Sequence, residues 1–260
     1  MQSKLKTWTG LGLATALAGT TLAACDGSAD PVAENEIAAT SGEMGEAGEG
    51  EGGAGEAGEG GEAGHDMESL PLPQRLAFMS GHVEAGLALY RAGAPEAAAP
   101  HLLHPVSETH QAERAGLADL GFEASLFEEV SAALDAGRPA AEIEPQLAAA
   151  EANLRDVRQR AGGDPAEIID YLMDVVVEEY TIAITDGAVS DPGEYQDAWG
   201  FVVVAEGRAR DLPEPNAARV AEILTTLKAL WPEDAPIPPA DPAPTGQISA
   251  LASQVKLALP

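Results

Sequence analysis

The chain has 260 residues, and its 43 Asp+Glu against 14 Lys+Arg give a net charge of −29. That sign excludes a protein that reads nucleic-acid phosphates electrostatically, and a single Cys excludes a disulfide framework or a Cys-rich zinc or iron–sulfur site. Aromatic residues are sparse at 4%, yet the 45% apolar fraction suffices for one helical core of Ala, Leu and Val.

The first 24 residues have a short basic start (Lys4, Lys6) and an acid-free apolar stretch from Trp8 to Ala24. This is too short and too rich in Gly, Thr and Ala for a stable membrane span, and it reads as an export signal. It closes with Leu22-Ala23-Ala24-Cys25, where the only Cys of the chain sits. These four residues resemble the lipobox of bacterial lipoproteins. The resemblance implies cleavage before Cys25, lipidation of that Cys and anchoring on the periplasmic side of the cell envelope. Asp26, which follows, is associated in enteric bacteria with retention at the inner membrane, while the choice between inner and outer membrane stays open.

Residues 26–68 hold 13 acids, no Lys or Arg and no aromatic residue, with a Glu/Gly/Ala run at the centre. Nothing there offsets the entropy of ordering the backbone, so residues 25–68 are expected to be a disordered tether spanning about 35 to 40 Å or more. From residue 69 helical periodicity begins. Leu76, Met79, Val83, Leu87 and Tyr90 mark a first helix that ends at Gly93, and Pro95 to His104 a second, stopped by Pro105. Ser107 is positioned to cap a third helix running toward Gly121. Leu126, Val130 and Leu134 carry a fourth, and Ile143 to Val157 a fifth that ends at Gly162-Gly163.

Asp164-Pro165-Ala166-Glu167 and Asp191-Pro192-Gly193-Glu194 share one start signature. Asp is the N-cap, Pro takes the first helical position and Glu returns to the cap. With Gly187 between them, residues 164–211 form a helical hairpin. Asn216 to Trp231 is a further helix. A Pro-rich strap (232–244) follows, and Ile248, Leu251, Val255 and Leu259 mark a terminal amphipathic helix. No bounded run of alternating β-branched residues occurs, so residues 69–260 are expected to be all-α, a bundle of antiparallel hairpins.

Four of the five histidines fall at His82, His101, His104 and His110. His101-Leu102-Leu103-His104 sets two imidazoles three apart on one helical face, and His82, with Met79 one turn before it, lies on the preceding helix. If the two helices form a hairpin, these side chains converge. Imidazole with a thioether suits copper or haem iron, and imidazole with carboxylate suits iron or zinc. A shared ion requires the imidazoles of His82 and His101 to approach within about 4 to 5 Å. The competing reading is structural histidines that cap carbonyls or hydrogen-bond in the core. A second candidate is the row Glu167, Asp170, Asp174 and Glu178, four carboxylates along one side of the helix after Asp164. It reads as a solvated face, a secondary cation-binding surface or the partner of the histidine cluster.

The spacing is neither the His-Glu-x-x-His of metalloproteases nor the Gly-x-His-x-x-Glu of imelysin-like iron proteins. The chain carries no Gly-rich phosphate loop, no Gly-x-Ser-x-Gly elbow and no spare Cys nucleophile, so no catalytic residue is assigned and no enzyme is expected.

Tyr171-Leu172-Met173-Asp174-Val175-Val176-Val177-Glu178-Glu179-Tyr180, then Asp186 to Asp191 and Glu194-Tyr195-Gln196-Asp197, resemble the extracytoplasmic helical region attached to some bacterial members of the oxidase-coupled iron permease family. The Arg-Glu-x-x-Glu motifs of the permease are absent. The resemblance implies an accessory exported domain near metal uptake, with Glu178 and Glu179 as its candidate ligands. Gly86 to Ala98 resembles one tetratricopeptide unit, with small residues where paired helices touch. Together these readings anticipate an envelope-anchored accessory protein for iron, copper or haem, partnered by the membrane and by a metal transporter or other envelope protein. The alternative is a helical scaffold that binds an envelope protein and holds no metal.

Overall fold

The computed structural model describes residues 69–107, 114–231 and 235–260. Among them eight α-helices account for nearly all regular structure: α1 (Leu72–Arg91), α2 (Pro95–Leu103), α3 (Ala124–Asp135), α4 (Ala140–Ala161), α5 (Pro165–Ala183), α6 (Pro192–Ala209), α7 (Asn216–Lys228) and α8 (Thr245–Ala258). Two-residue strands β1 (Ile184–Thr185) and β2 (Ala188–Val189) pair antiparallel across the turn at Asp186-Gly187. Both turn residues have positive φ, which is why Gly serves at the second. No described helix is long and apolar enough to cross a membrane.

The helices close into two rings of four. In the first, α1 packs on α2, α2 on α3, α3 on α4 and α4 back on α1. It encloses Leu76, Met79, Val83, Leu102, Phe127, Ile143, Leu147 and Val157. In the second, α5 packs on α6, α6 on α7, α7 on α8 and α8 back on α5, around Ile169, Leu172, Val176, Tyr195, Val202, Leu224 and Val255. The rings join where α1 lies on α6. Helix α1 therefore buries residues on all sides, sending Met79 and Val83 into the first core and Ala77 and Phe78 into the second.

The local signals behave as their chemistry requires. The Asp164 carboxylate accepts from the Ala166 N–H at 2.8 Å, and Asp191 accepts from Gly193 and Glu194 at 3.0 and 3.4 Å. The strap after Trp231 is described from residue 235. It is tied to α5 by the Tyr180 hydroxyl, which donates to the Ala243 carbonyl at 2.8 Å, and Pro236 and Pro242 are buried. The expected third helix is not formed by its described residues. Residues 114–117 are turn, followed by a 3-10 turn, Ala118–Leu120. The Arg114 guanidinium donates to the carbonyls of Pro105 (3.0 Å) and Ser107 (2.7 Å), tying the described residues on either side to each other. Ser107 donates weakly to the His104 carbonyl (3.5 Å).

Candidate metal centre at the joint of the two rings

The joint is built on glycine. A Cβ on Gly200 of α6 would stand 2.1 Å from the Gly81 carbonyl oxygen, and a Cβ on Gly81 of α1 would stand 2.1 Å from the Phe201 ring. The two backbones thus touch without a side chain between them, which sets His82, next to Gly81, against Asp197, almost one turn before Gly200. Gly86 does the same for α2. A Cβ there would meet His101 Cβ at 3.0 Å and Leu102 Cγ at 2.7 Å, so α2 lies close enough to α1 to bring His101 to the same point.

The result is a buried His–Asp–His arrangement. His82 Nδ1 and His101 Nδ1 each approach Asp197 Oδ1 at 2.8 Å, and His101 Nε2 lies 2.7 Å from Gln196 Oε1. His104 stacks on His82 with ring centroids 3.9 Å apart, while Phe78 and Phe201 present edge-on contacts to His82. Burial alone would raise the Asp197 pKa, but the charges and hydrogen bonds of His101 and His82 outweigh it and hold the carboxyl well below the usual range. Burial would likewise lower His101. The Asp197 charge and the hydrogen bonds to Asp197 and Gln196 reverse that, and the imidazole is raised above its ordinary value.

One ligand atom each from His82, His101 and Asp197 lie within 4.8 Å of one another, close enough that a small inward movement of the side chains would let one ion, with ligands about 2.0–2.2 Å away, be shared. Two imidazoles and a carboxylate are a donor set for iron(II) or zinc. The same geometry with protons in place of a metal is a hydrogen-bonded histidine network.

A second pair of acids sits within electrostatic reach. Glu179 of α5 and Glu194 of α6 are both buried and hydrogen-bonded to each other through their side chains, so one carboxyl holds a proton and donates it to the other. Burial pushes the Glu179 pKa far up, and the hydrogen bond and charge of Glu194 and the charge of Asp197 add to it. The expectation that Glu194 returns to its own helix cap is thereby corrected. Its carboxyl turns inward to Glu179, while Asp191 serves the cap alone. Beside the pair, Tyr180, Tyr195 and Trp231 form an aromatic cluster, and the Trp231 indole donates to the Tyr195 carbonyl at 3.2 Å.

Of the sequence candidates, His82, His101 and His104 are brought together, and Met79 is not. It points from α1 into the first core with Leu76 and Val83. His110 and Cys25 lie outside the described residues. The acid row of α5 faces away from the histidines. Asp174 and Asp170 approach Lys256 of α8 at 2.7 and 3.3 Å, Glu167 is exposed and Glu178 is half-buried. The partner of the histidine cluster is instead Asp197, which sequence reasoning missed. A signal for it exists, because Asp197 is the only charged residue from Tyr195 to Ala205, and a lone acid in an apolar helical run is a buried charge.

A cleft of about 510 Å³ opens onto the centre between α2 and the start of α6. Glu96, Pro100, His101, Asp191, Gln196 and Asp197 are among its walls, so its charge favours a cation.

Apart from the short β1–β2 hairpin, the described residues are thus an almost wholly helical protein with a buried imidazole–carboxylate cluster. Residues 161–259, the second ring, match the family model of the iron permease-associated 4-helix bundle domain. That match agrees with the resemblance seen in Tyr171–Asp197. No curated protein and no solved structure matches the chain.

Proposed function

We propose that this chain is an accessory metal-binding protein of iron uptake, non-enzymatic, anchored in a bacterial cell envelope through lipidated Cys25, with iron(II) as the cargo of its His82–His101–Asp197 centre. The convergence of those three side chains from α1, α2 and α6 carries the reading. The match of α5–α8 to an iron permease-associated bundle supports iron over other cargo, and a permease or other metal transporter as partner. The donor set supports the same choice. With Met79 turned into the core, imidazole and carboxylate remain, which suit iron(II) or zinc better than copper(I) or a haem held through thioether.

In this reading the acidic chain concentrates cations at its surface, and the carboxylate-lined cleft admits one to the centre. His82 and His101 supply neutral nitrogens and Asp197 a charged oxygen. Gln196, hydrogen-bonded to His101, fixes that ring's orientation. Binding displaces protons from the histidines, so affinity falls in acid. A helical scaffold without metal would leave its histidines scattered and expose a contiguous apolar patch. Here three histidines adjoin, and the large exposed apolar side chains Leu103, Ile182, Ile237 and Leu257 belong to four different segments.

Calorimetric titration of the purified protein with iron(II) under anaerobic conditions, and with zinc and copper in parallel, tests this. Saturable binding at one site per chain that disappears in the His82→Ala/His101→Ala double variant is expected. Absence of binding in the parent protein, or unchanged binding in the variant, overturns it.

A further inference from the structure

The joint of the two rings has a second opening of the opposite sign. The C-terminal ends of α4 and α6 come together around a cleft of about 290 Å³ lined by Arg155, Arg158, Gln159, Arg208, Arg210 and Asp211. Four of the chain's 14 Lys and Arg residues thus meet in one place, on a protein whose net charge is −29. Two helix C-termini account for some of this, since basic side chains in a last turn complement the negative end of the helix dipole. They do not account for the state of Arg208. Its Nε and Nη2 are buried and have no acceptor among the described residues.

The neighbouring charges leave this arrangement short of anions. Arg158 reaches Glu84 and Arg155 reaches Glu151 only at 3.9 Å, at the limit of an ion pair. Asp211 is the one acid that wall shares with Arg208. Burial lowers the pKa of Arg208, and the like charge of Arg158 lowers it further. The two buried nitrogens of a guanidinium lose their hydration and, without an acceptor, gain nothing in return. Planar N–H groups from several arginines converging on one cleft match the oxygens of a multiply charged oxyanion, which they hold by paired charge-assisted hydrogen bonds.

We propose that this cleft is a binding site for a small multivalent oxyanion, a phosphate or a polycarboxylate, held by Arg208 and Arg158 with Arg155 and Arg210 at the mouth. It is independent of the metal centre, whose ligand Asp197 lies 11 residues earlier on α6, about 16 Å along the helix. Asp211 on the wall sets a limit to the anion's size and orientation.

The test is calorimetric titration of the metal-free full-length protein with orthophosphate and, separately, with citrate as a tricarboxylate probe. One saturable site per chain is expected for at least one probe, and the probe that binds identifies phosphate or carboxylate as the recognised group. Arg208→Gln is expected to weaken binding about tenfold or more, as loss of a charged hydrogen-bonding partner does. Arg155→Gln, at a half-exposed side chain whose loss leaves the core intact, is expected to weaken it several-fold and keeps the test open if the Arg208 variant does not fold. Arg219→Gln on α7, outside the cleft, is expected to change nothing. Binding of neither probe, or equal binding by the Arg155 and Arg208 variants and the parent, overturns the proposal.

Discussion

The two four-helix rings divide the chemistry between them. The second, α5–α8, is the part that matches the iron permease-associated bundle, and it contributes acids: Asp197, Glu179 and Glu194. The first, α1–α4, lies outside that match and contributes the imidazoles of His82, His101 and His104. Neither ring alone holds a complete donor set. In the proposed centre the family-matched portion supplies the carboxylate, and a preceding pair of helices supplies the imidazoles across a glycine contact. A bundle with Asp197 and no histidine neighbours would carry a buried, unpaired carboxylate, an arrangement that folded proteins avoid.

Breaking the link between the rings should have the largest effect. Asp197→Ala leaves two buried imidazoles without their shared acceptor and is expected to cost about 3–5 kcal/mol in urea unfolding, the usual penalty for removing one partner of a buried ion pair, together with loss of metal binding. A cost under about 1 kcal/mol would mean that the rings are held by apolar packing alone. Next comes Gly200→Ala. Its new methyl meets backbone at Gly81, which cannot rotate away, so α1 and α6 must separate. Overpacking of this kind costs about 1–3 kcal/mol. Metal affinity should fall as well, because His82 moves with α1, and unchanged affinity would detach the centre from the crossing.

A substitution inside the second ring should act in the other direction. Glu179 keeps its proton in the folded state at pH values where the unfolded chain has lost it. Its contribution to stability is fully present below the unfolded pKa of about 4.3 and declines as pH rises above that value. Glu179→Gln removes the titration while keeping an amide that hydrogen-bonds Glu194. It is expected to stabilise the protein on the order of 1–3 kcal/mol at pH 8, with the gain shrinking toward zero by pH 4. Urea unfolding across that range checks it, and a gain independent of pH would refute the shared proton. The smallest effect belongs to Lys256→Met on the surface of the same ring, where the pairs with Asp170 and Asp174 are exposed to water. A loss of at most about 1 kcal/mol, screened further by salt, is expected there.

Most of the helical plan is legible in the residues because its signals are local. An Asp-Pro start, a Gly with positive φ or a three-to-four apolar period acts within one or two turns, and α5 and α6 begin at the Asp-Pro signals as read. Local signals also mislead locally. The stretch after Ser107 has helical spacing, yet its described part, residues 114–120, is turn and 3-10 structure, with the Arg114 side chain donating to the carbonyls of Pro105 and Ser107. The acid row of α5 shows a limit of the same kind. Four carboxylates on one face could be a solvated surface or a ligand surface, while their immediate neighbour Glu179 is turned toward the core.

What the sequence by itself determined is the all-α class, the hairpin of α5 and α6, the histidine pair at the C-terminal end of α2 and the resemblance of residues 171–197 to an iron permease-associated region. What only the tertiary structure decided is which groups meet. Asp197 and Gln196 stand far from the histidines in the chain, Gln196 by 95 positions from His101, and nothing periodic links them. Their meeting depends on two glycines that let backbones touch, on α1 serving two cores at once and on two rings closing side by side. Contacts of that kind are consequences of packing, in which the shape of the whole selects the neighbours of each part.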